Sequence, residues 1–301
     1  MNSFLKREGG LRKHGRFSEE SQSEEPLVTI VTVVRNGVET IEQTIRSVLG
    51  QTYTNIEYIV IDGCSTDGTL DIIKKYEENI AYWISEPDNG ISDAFNKGIA
   101  RATGEFVALI NADDWMSSDQ VEQAVNVLKQ HSADFVFGDL IYHNEDGGEN
   151  HRIKGDPEYK KAINSKMPAL CHPSVMARRS AYQRAGLFDP RYRYAMDYEW
   201  FLRLHRTGGR GIYSMNITAH MRLAGISDRS YLKSLKEVRN IAVQYGQPAW
   251  IANFLFAFRI MKSFSRRWLE KLLPRGMYDR IRGLMNRSYC SQINNHKGIM
   301  R

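Results

Sequence analysis

Polar residues follow four apolar segments of the sequence, each at the point where the segment ends. The four groups are Arg35-Asn36-Gly37, Asp62 to Gly68, Glu86 to Gly90, and Asn111-Ala112-Asp113-Asp114. Two adjacent carboxylates such as Asp113 and Asp114 repel each other unless a cation or a proton intervenes. Mg²⁺ or Mn²⁺ prefers oxygen ligands and is typically held by one or two carboxylates together with substrate phosphates. The pair therefore predicts a divalent metal site, and the alternative is a cap for the helix expected near Ser117.

Other residues of these groups could contact a ligand. Asp62 ends a strand-like segment, where its carboxylate could accept a hydrogen bond from a base or a ribose, whereas Ser65 to Asp67 also fit a tight turn and a helix cap. Arg35 could stack on a base or touch a phosphate, and it could equally be an ordinary surface arginine. Gly90 would let a ligand approach the backbone at a helix N-terminus, which favours a negative group.

The apolar segments that precede these groups have the length and the β-branched content of strands. They are LVTIVTVV (27–34), IEYIVI (56–61), AYWIS (81–85) and EFVALI (105–110), and ADFVFG (133–138) follows. Residues with helical spacing separate them, over 38–49, 70–76, 91–101 and 118–130. The alternation predicts an α/β fold with a mostly parallel sheet covered on both faces. Ligands of such sheets bind beyond the carboxyl ends of the strands, where the polar groups lie.

Two common nucleotide-binding motifs are missing from the sequence. Neither GxGxxG nor GxxxxGK[ST] follows any of the predicted strands. Their absence argues against a dinucleotide-binding fold and against a P-loop NTPase.

The positive charge of the chain is concentrated at one end. The 301 residues carry a net charge of +6, and residues 251–301 alone hold eleven Lys and Arg against two acidic residues, a charge of +9. The rest of the chain carries −3, which argues against a body adapted throughout to hold nucleic acid.

The sequence also bears on the compartment. The longest apolar stretch, Trp250 to Phe258, is well short of the roughly 20 residues that span a bilayer, and the first ten residues lack the apolar region of a secretory signal. Cys64, Cys171 and Cys290 are odd in number and far apart, which excludes a CxxC metal site and argues against a disulfide framework. A reducing cytosol is the expected compartment.

The basic end has the pattern of an amphipathic helix. Its apolar residues fall at 250, 254, 258, 261, 264, 268 and 272, with Arg and Lys between them. Such a helix can lie in the interface of an anionic membrane, where each base contributes about 1 kcal/mol. Packing on the preceding domain is the alternative. Nucleic-acid binding is not expected, because no recognised nucleic-acid module accompanies the tail.

Four longer segments together resemble the ordered signature of glycosyltransferase family 2. They are LVTIVTVVRNGVETIEQTIRSVLGQTY, IEYIVIDGCSTDGT, SEPDNGISDAFNKGIARATGEFVALINADDW and HPSVMARRSAYQRAGLFDPRYRYAMDYEWFLRL. The resemblance implies a GT-A fold, in which a nucleotide-binding parallel sheet precedes an acceptor-binding half. We accordingly expect a flexible extension over 1–25, a catalytic domain over 26–228, and a basic helical C-terminal region over 229–301.

The resemblance also implies where the metal and the donor bind. The DxD-like element of the family corresponds to Asn111-Ala112-Asp113, with Asp113 as the metal ligand beneath the donor diphosphate. Asn111 can hydrogen-bond a ribose or sugar hydroxyl but brings no charge, so the metal depends on Asp113, alone or with Asp114. Arg35-Asn36 and Asp62 belong to the donor site by the same resemblance.

The chain departs from the family pattern at three further positions. Gly63 stands where many members carry an Asp that reads the base, and Arg35 stands where an aromatic residue commonly precedes the Asn. Met196 replaces the first member of an acid pair. The identity of the base is therefore left open by the sequence.

The segment AMDYEWFLRL reads as a helix with its acids near the start. By resemblance Asp197 is the general base, and a positioned carboxylate that removes a proton from a sugar hydroxyl contributes about 10²- to 10⁴-fold to the rate. The alternative for Asp197 is a helix cap. Glu199 is a competing base or a ligand of an acceptor hydroxyl, and Trp200 fits core packing better than a sugar platform.

The remaining candidates come from the family motifs. Asp93 and Asn96 are placed inward, toward the donor sugar or diphosphate. His172 matches a position that lines the active centre, although a lone His is more often packed or hydrogen-bonded. Arg222 precedes a segment that resembles the mobile part that closes over the donor, and it could clamp a diphosphate through paired hydrogen bonds or form a surface salt bridge.

The expected activity is an inverting, metal-dependent sugar transfer. The donor would be a nucleotide-diphosphate sugar, the acceptor a hydroxyl of a glycan or lipid-linked molecule, and the setting cell-surface polysaccharide synthesis at the inner face of the cell membrane. Two rival functions remain: an adaptor that binds nucleotide sugar or membrane but has lost activity through Asn111, Gly63 and Met196, and a nucleotidyltransferase. The second lacks a phosphate-binding Gly-rich loop after its first strand.

Overall fold

A computed structural model of the chain describes residues 6–17, 24–144, 146–222 and 231–272, without the side chains of 262 and 264–272. Two compact units divide it, residues 1–247 and 248–301. The segment expected to close over the donor after Arg222, the basic residues beyond 272 and Cys290 lie outside the described residues. Cys64 and Cys171 form no disulfide.

The strands and helices alternate in the order that the sequence predicts. The strands are β1 (Arg7–Gly9), β2 (Val28–Val34), β3 (Ile56–Asp62), β4 (Tyr82–Ser85), β5 (Phe106–Asn111), β6 (Trp115–Met116), β7 (Phe135–His143), β8 (Glu149–Ile153), β9 (Met176–Arg178) and β10 (Gly211–Arg222). The helices are α1 (Ile41–Leu49), α2 (Thr69–Lys75), α3 (Ile91–Ile99), α4 (Gln120–Gln130), α5 (Tyr159–Ala162), α6 (Arg179–Ala185), α7 (Met196–Arg206), α8 (Tyr231–Gln244) and α9 (Ala249–Leu272). The five predicted strands and four predicted helices are confirmed within a few residues.

The described strands form one sheet, in the order β1-β4-β3-β2-β5-β9-β7-β10-β6, with β8 on β7. Its central strands β4, β3, β2 and β5 are parallel, and so are β7 and β10. Antiparallel pairing joins β1, β6, β8 and β9 to them. The carboxyl ends of the central strands therefore meet at one edge, as predicted.

The side chains of β2 show why the sheet is covered on both faces. Every residue of β2 is buried. Because successive side chains point to opposite faces, Ile30 packs in one apolar cluster with Ile45 of α1, and Val31 packs in the other with Phe95 of α3.

Residues 6–17 form regular structure within the segment whose composition predicted a flexible extension. β1 pairs antiparallel with β4, and a 3₁₀ turn follows at Leu11–His14. The Arg12 guanidinium forms an ion pair with Glu57, whose side chain is fully buried. A buried carboxylate requires such a partner, so this contact, invisible in the local pattern, explains why residues 6–17 are anchored.

The catalytic unit also extends past the predicted boundary at 228. α8 belongs to the same unit, and its Glu237 carboxylate accepts hydrogen bonds from the backbone N–H groups of Arg193, Tyr194 and Ala195 at 2.7 to 3.1 Å. The helix therefore fixes the loop that leads into α7.

The second unit contains α9, whose 24 residues begin with the predicted row of aromatic side chains. Trp250, Phe254 and Phe258 are 74%, 66% and 50% exposed. Among the described helices, none is both long and apolar enough to cross a membrane.

Candidate active site

The acidic loop after β5 is held against α1. The Thr44 hydroxyl lies 2.9 Å from the carbonyl oxygen of Ala112 and 2.7 Å from that of Asp114. Asp114 is fully buried, and the Asn111 amide donates to its carboxylate at 3.1 Å. Burial raises the pKa of Asp113, and burial together with the negative charge of Asp113 raises the pKa of Asp114 well above its usual range.

This loop has the donor set that a hard divalent cation takes. Asn111 Oδ1 and Asp114 Oδ1 are buried and have no hydrogen-bond partner among the described residues, which is costly unless a ligand satisfies them. The described residues contain no group of three or more His, Cys, Asp or Glu that could hold a metal ion. Two carboxylates and an amide oxygen fit Mg²⁺ or Mn²⁺, which usually retain water and phosphate ligands. The alternative role as a helix cap does not hold, because the N-cap of α4 is Asp119.

Arg222, at the end of β10, lies beside the acidic loop. Its guanidinium sits 5.3 Å from the centre of the Trp115 ring and donates to Gln43. Its charge acts to lower the pKa of both Asp113 and Asp114, against the larger effect of burial. Arg222 Nε is buried without a hydrogen-bond partner among the described residues. Among the described residues Arg222 forms no salt bridge. Its guanidinium lies next to the acids and has one N–H group, at Nε, without a hydrogen-bond partner.

An aromatic and histidine cluster that the sequence reasoning missed supports this arginine. The Trp115 ring stacks on His220 with a 5.4 Å centroid distance and lies 4.6 Å from His143. His220 Nδ1 lies 2.9 Å from His143 Nε2, and its Nε2 lies 2.9 Å from Ser117 Oγ. One signal was present: His220 precedes Arg222 by two residues on a strand, so both side chains share one face.

Hydrogen bonds join the loop after β2 to the loop after β3. Asn36 and Cys64 have positive φ values of 53° and 58°. The Asn36 amide oxygen accepts from Thr66 N at 2.9 Å, and Asn36 N donates to Ser65 Oγ at 2.7 Å. Asn36 thus shapes the rim of the crevice, where the neighbouring Arg35 is exposed.

Asp62 does not fit the predicted contact with a base or ribose. It is fully buried, and its carboxylate accepts hydrogen bonds from Ser85 Oγ at 2.6 Å and from the backbone N–H and hydroxyl of Ser65. Since these donors occupy both oxygens, Asp62 holds the turn between β3 and α2.

In and before the first turns of α3, the residues predicted to meet the donor also make contacts within the protein. Gly90 caps the helix with φ 108°, and Asp93 accepts from Asn89 N at 2.9 Å while pairing with Lys97 at 3.5 Å. Both ends of the Asn96 amide bond the backbone of Phe188, at 2.8 and 2.9 Å. Asn96 therefore joins α3 to the loop before α7, whereas Asp93 stays partly exposed at the helix start.

Asp197 lies in the first turn of α7, next to the start of α3. The Ser92 hydroxyl connects the two elements, at 2.8 Å from the Tyr192 carbonyl oxygen and 2.9 Å from the Met196 sulfur. Burial, with a smaller contribution from the charge of Glu237, raises the pKa of Asp197 to about 6. A carboxyl group with a pKa near the working pH can both be ionised and accept a proton.

Glu199 does not fit its predicted role as a competing base or ligand. Its side chain is 2% exposed, pairs with Arg203 at 2.8 and 3.0 Å and accepts from the Tyr245 hydroxyl. A carboxylate with both oxygens engaged in this way positions helices. Trp200 is buried in the core, which confirms its predicted use.

His172 lies in apolar surroundings beneath the crevice. Its ring meets Phe95 edge-on at 5.5 Å and lines a small cavity with Phe188 and Trp200. Burial lowers its pKa to about 4, and its Nε2 has no partner among the described residues. The low pKa keeps this imidazole neutral, in keeping with its apolar neighbours.

Comparison with known proteins identifies the family. The sequence model described as Glycosyl transferase family 2 matches residues 29–186. TuaG of Bacillus subtilis, a glycosyltransferase named for teichuronic acid biosynthesis, is 32% identical over 197 residues, which cover 64% of this chain and 76% of TuaG. The chain belongs to glycosyltransferase family 2.

Further relatives of this family 2 glycosyltransferase differ in length. The glycosyltransferase GlyA of Streptococcus pneumoniae is 26% identical over 87% of this chain, but the match spans only 35% of GlyA. Among solved structures, the mannosyltransferase PcManGT from Pyrobaculum calidifontis with GDP-Man and Mn²⁺ has a TM-score of 0.59 at 17% identity, covering 89% of this chain and 81% of its own. S. aureus TarS 1–349 with UDP-GlcNAc has a TM-score of 0.56 at 16% identity, over 79% and 73%. These likenesses establish the GT-A fold.

Proposed function

We propose that this family 2 glycosyltransferase is an inverting, metal-dependent hexosyl- or hexosaminyltransferase. It would move a sugar from a nucleoside-diphosphate donor to a hydroxyl of a glycan or lipid-linked acceptor in cell-surface polysaccharide synthesis. The observation that carries the proposal is the acidic loop, in which Asn111 Oδ1 and Asp114 Oδ1 have no hydrogen-bond partner among the described residues. Arg222 lies beside this loop. The name of TuaG and the donors bound by TarS and PcManGT point the same way.

The acidic loop and Arg222 would form the diphosphate end of the site. Asp113 and Asp114 would hold Mg²⁺ or Mn²⁺, which neutralises the charge of the leaving diphosphate when bound. Arg222 adds a fixed positive charge on the same side, and its unpaired Nε offers a donor to a phosphate oxygen.

Asp197 would take the proton of the acceptor. As the hydroxyl oxygen bonds to the anomeric carbon, its proton passes to the Asp197 carboxylate, and the bond to the diphosphate breaks on the opposite side. Attack opposite the leaving group inverts the anomeric centre. With a pKa of about 6, Asp197 is ionised at neutral pH and ready for this step.

The test combines binding and turnover on the purified chain. UDP-, GDP- and dTDP-sugars are offered with Mn²⁺ or Mg²⁺, products are read by mass spectrometry, and binding is followed by calorimetry. Metal-dependent transfer or donor hydrolysis that Asp197→Asn abolishes supports the proposal. Binding without turnover favours the adaptor, and turnover that Asp197→Asn leaves intact contradicts the assigned base.

The same proposal places the protein in the cytoplasm, at the inner face of the cell membrane. Its support is the row Trp250, Phe254 and Phe258 on α9, exposed and four residues apart, within a region of +9 charge. Aromatic side chains beside basic residues suit an anionic interface. Flotation with anionic liposomes should recover the wild type and lose a variant with all three aromatics changed to Ser, and equal recovery of both would contradict the membrane role.

A further inference from the structure

Gly63 lies at the carboxyl end of β3 for a reason other than backbone freedom. Its φ is outside the positive region in which glycine is favoured, while the next residue, Cys64, adopts φ 58° without being glycine. Gly63 N donates to the Val34 carbonyl oxygen at 2.8 Å, which continues the pairing with β2. Another residue type would fit this backbone, so the missing side chain needs an explanation in space.

Asp88 occupies the space that a side chain at 63 would need. A Cβ at position 63 would overlap Asp88 Oδ2, lie 3.2 Å from its Cγ, and lie 3.4 Å from Arg35 Cβ. β3 and β4 are paired up to Asp62 and Ser85, so the loop after β4 folds its carboxylate back over the end of β3. Glycine at 63 therefore makes room for the Asp88 carboxylate, with the stem of Arg35 beside it.

The two oxygens of Asp88 are in different situations. Oδ1 accepts a hydrogen bond from Gly90 N at 2.8 Å, which fixes the carboxylate at the start of α3. Oδ2 faces Gly63 and receives no hydrogen bond within the described parts of the chain, and Asp88 is partly exposed. The result is an oriented acceptor, Oδ2, at the crevice, beside the stem of the exposed Arg35.

We propose that Asp88 reads the base of the donor nucleotide and selects an imide base, uracil or thymine. The inference rests on the proposed function. Along the sheet edge, Asp88 and Arg35 lie over β3 and β2, while the acidic loop and Arg222 lie at β5 and β10. A donor whose diphosphate meets the acidic loop would thus extend its base toward Asp88, across the crevice where ligands of such sheets bind.

The orientation of the Asp88 carboxylate selects the base. Uracil and thymine present one N3–H donor between two carbonyl oxygens, so one carboxylate oxygen accepts the N–H and Arg35 donates to a neighbouring carbonyl. Guanine presents adjacent N1–H and N2–H donors that match a carboxylate with both oxygens available. Because the bond from Gly90 N turns Oδ1 toward the backbone of α3 and leaves Oδ2 without a donor among the described residues, the site suits the single imide donor.

Calorimetry with Mn²⁺ tests the assignment on the full chain. The ligands are UDP, dTDP, GDP and ribose 5-diphosphate, which lacks a base. The wild type should bind UDP and dTDP more tightly than GDP. Asp88→Asn can keep the bond from Gly90 N but replaces the acceptor Oδ2 by an NH₂ group, so UDP affinity should fall roughly 10- to 100-fold while ribose 5-diphosphate is unaffected.

A charge transposition gives the matched control. Gly63→Asp alone should weaken UDP binding, because the added Cβ overlaps Asp88 Oδ2 and displaces it. Gly63→Asp combined with Asp88→Gly should recover the preference for UDP over GDP, since the acceptor returns from the neighbouring strand.

The failures are distinguishable. If the wild type binds no nucleoside diphosphate, the proposed function itself fails. If it binds GDP best, if Asp88→Asn weakens UDP and ribose 5-diphosphate equally, or if the transposed variant binds UDP no better than Gly63→Asp, only the base assignment is overturned.

Discussion

Replacing Asp197 by Asn should stabilise the protein and at the same time slow the transfer. Burial raises the pKa of Asp197 from 3.8 to about 6, so the folded state pays to ionise a group that the unfolded chain ionises freely. At 1.36 kcal/mol per pH unit, the wild type loses about 3 kcal/mol of stability between acid and neutral pH through this group. Asn is neutral and nearly isosteric, and it avoids that cost.

The raised pKa of Asp197 determines the pH range over which the stability of the wild type falls below that of Asp197→Asn. Below pH 3.8 the carboxyl is protonated in both states and costs nothing. As the pH rises toward 6, only the unfolded state ionises, so the stability of the wild type falls relative to Asp197→Asn. The difference in the free energy of unfolding should grow by about 1.3 kcal/mol between about pH 5 and pH 7, and change little at higher pH.

Two measurements on Asp197→Asn test this prediction. Urea unfolding at several pH values gives the stability difference, and product formation gives the rate, which should fall by about 10²- to 10⁴-fold. In the wild type, kcat/KM should decline below about pH 6, and Glu237→Gln should shift that decline to lower pH because it removes a negative charge that raises the pKa of Asp197. A variant less stable than the wild type at pH 7, with a difference independent of pH, would refute the reasoning.

Two further predictions concern the metal and the N-terminal segment. Because the pKa values of Asp113 and Asp114 are raised, protons compete with the cation, and Mn²⁺ affinity by calorimetry should increase from about pH 5 to about pH 7.5; constant affinity would exclude these carboxyls as ligands. Arg12→Ala should lower the free energy of unfolding by about 3 kcal/mol, since it removes the cation paired with buried Glu57. Arg16→Ala, which removes an exposed ion pair, is the control and should change stability by less than about 1 kcal/mol.

The sequence pattern was sufficient for the parallel core of the fold. Strand-length apolar runs separated by helical spacing placed β2, β3, β4 and β5, because hydrophobic periodicity is a local property. The pattern did not predict the strand at Arg7–Gly9 or the extent of the first compact unit, which runs to residue 247. There the order depends on long-range contacts, the pair of Arg12 with Glu57 and the bonds from Glu237 to the loop before α7, which no local composition reveals.

The sequence predicted where the candidate site lies in the fold but not which side chains contact one another there. Following each strand to its end correctly located the acidic loop and the rim around Asn36. It could not distinguish residues that face the crevice from residues that hold its loops, because both kinds are polar and follow strands. Asp62 and Asn96 were therefore assigned to the donor, although their polar atoms are used within the protein. Asp88 escaped notice because its position matters only together with the glycine on the adjacent strand.

Two groups of acidic residues differ in how well their carboxylates are satisfied, and the difference supports the proposed roles. Asp62 and Glu199 have donors for both carboxylate oxygens, so their burial is compensated and they hold secondary structure in place. Asp113, Asp114 and Asp197 have fewer donors among the described residues, and burial raises their pKa values. Acids that ionise against the stability of the fold are concentrated at functional sites, where a cation or a transferred proton uses them. The three acids that this criterion selects are the two proposed metal ligands and the proposed base.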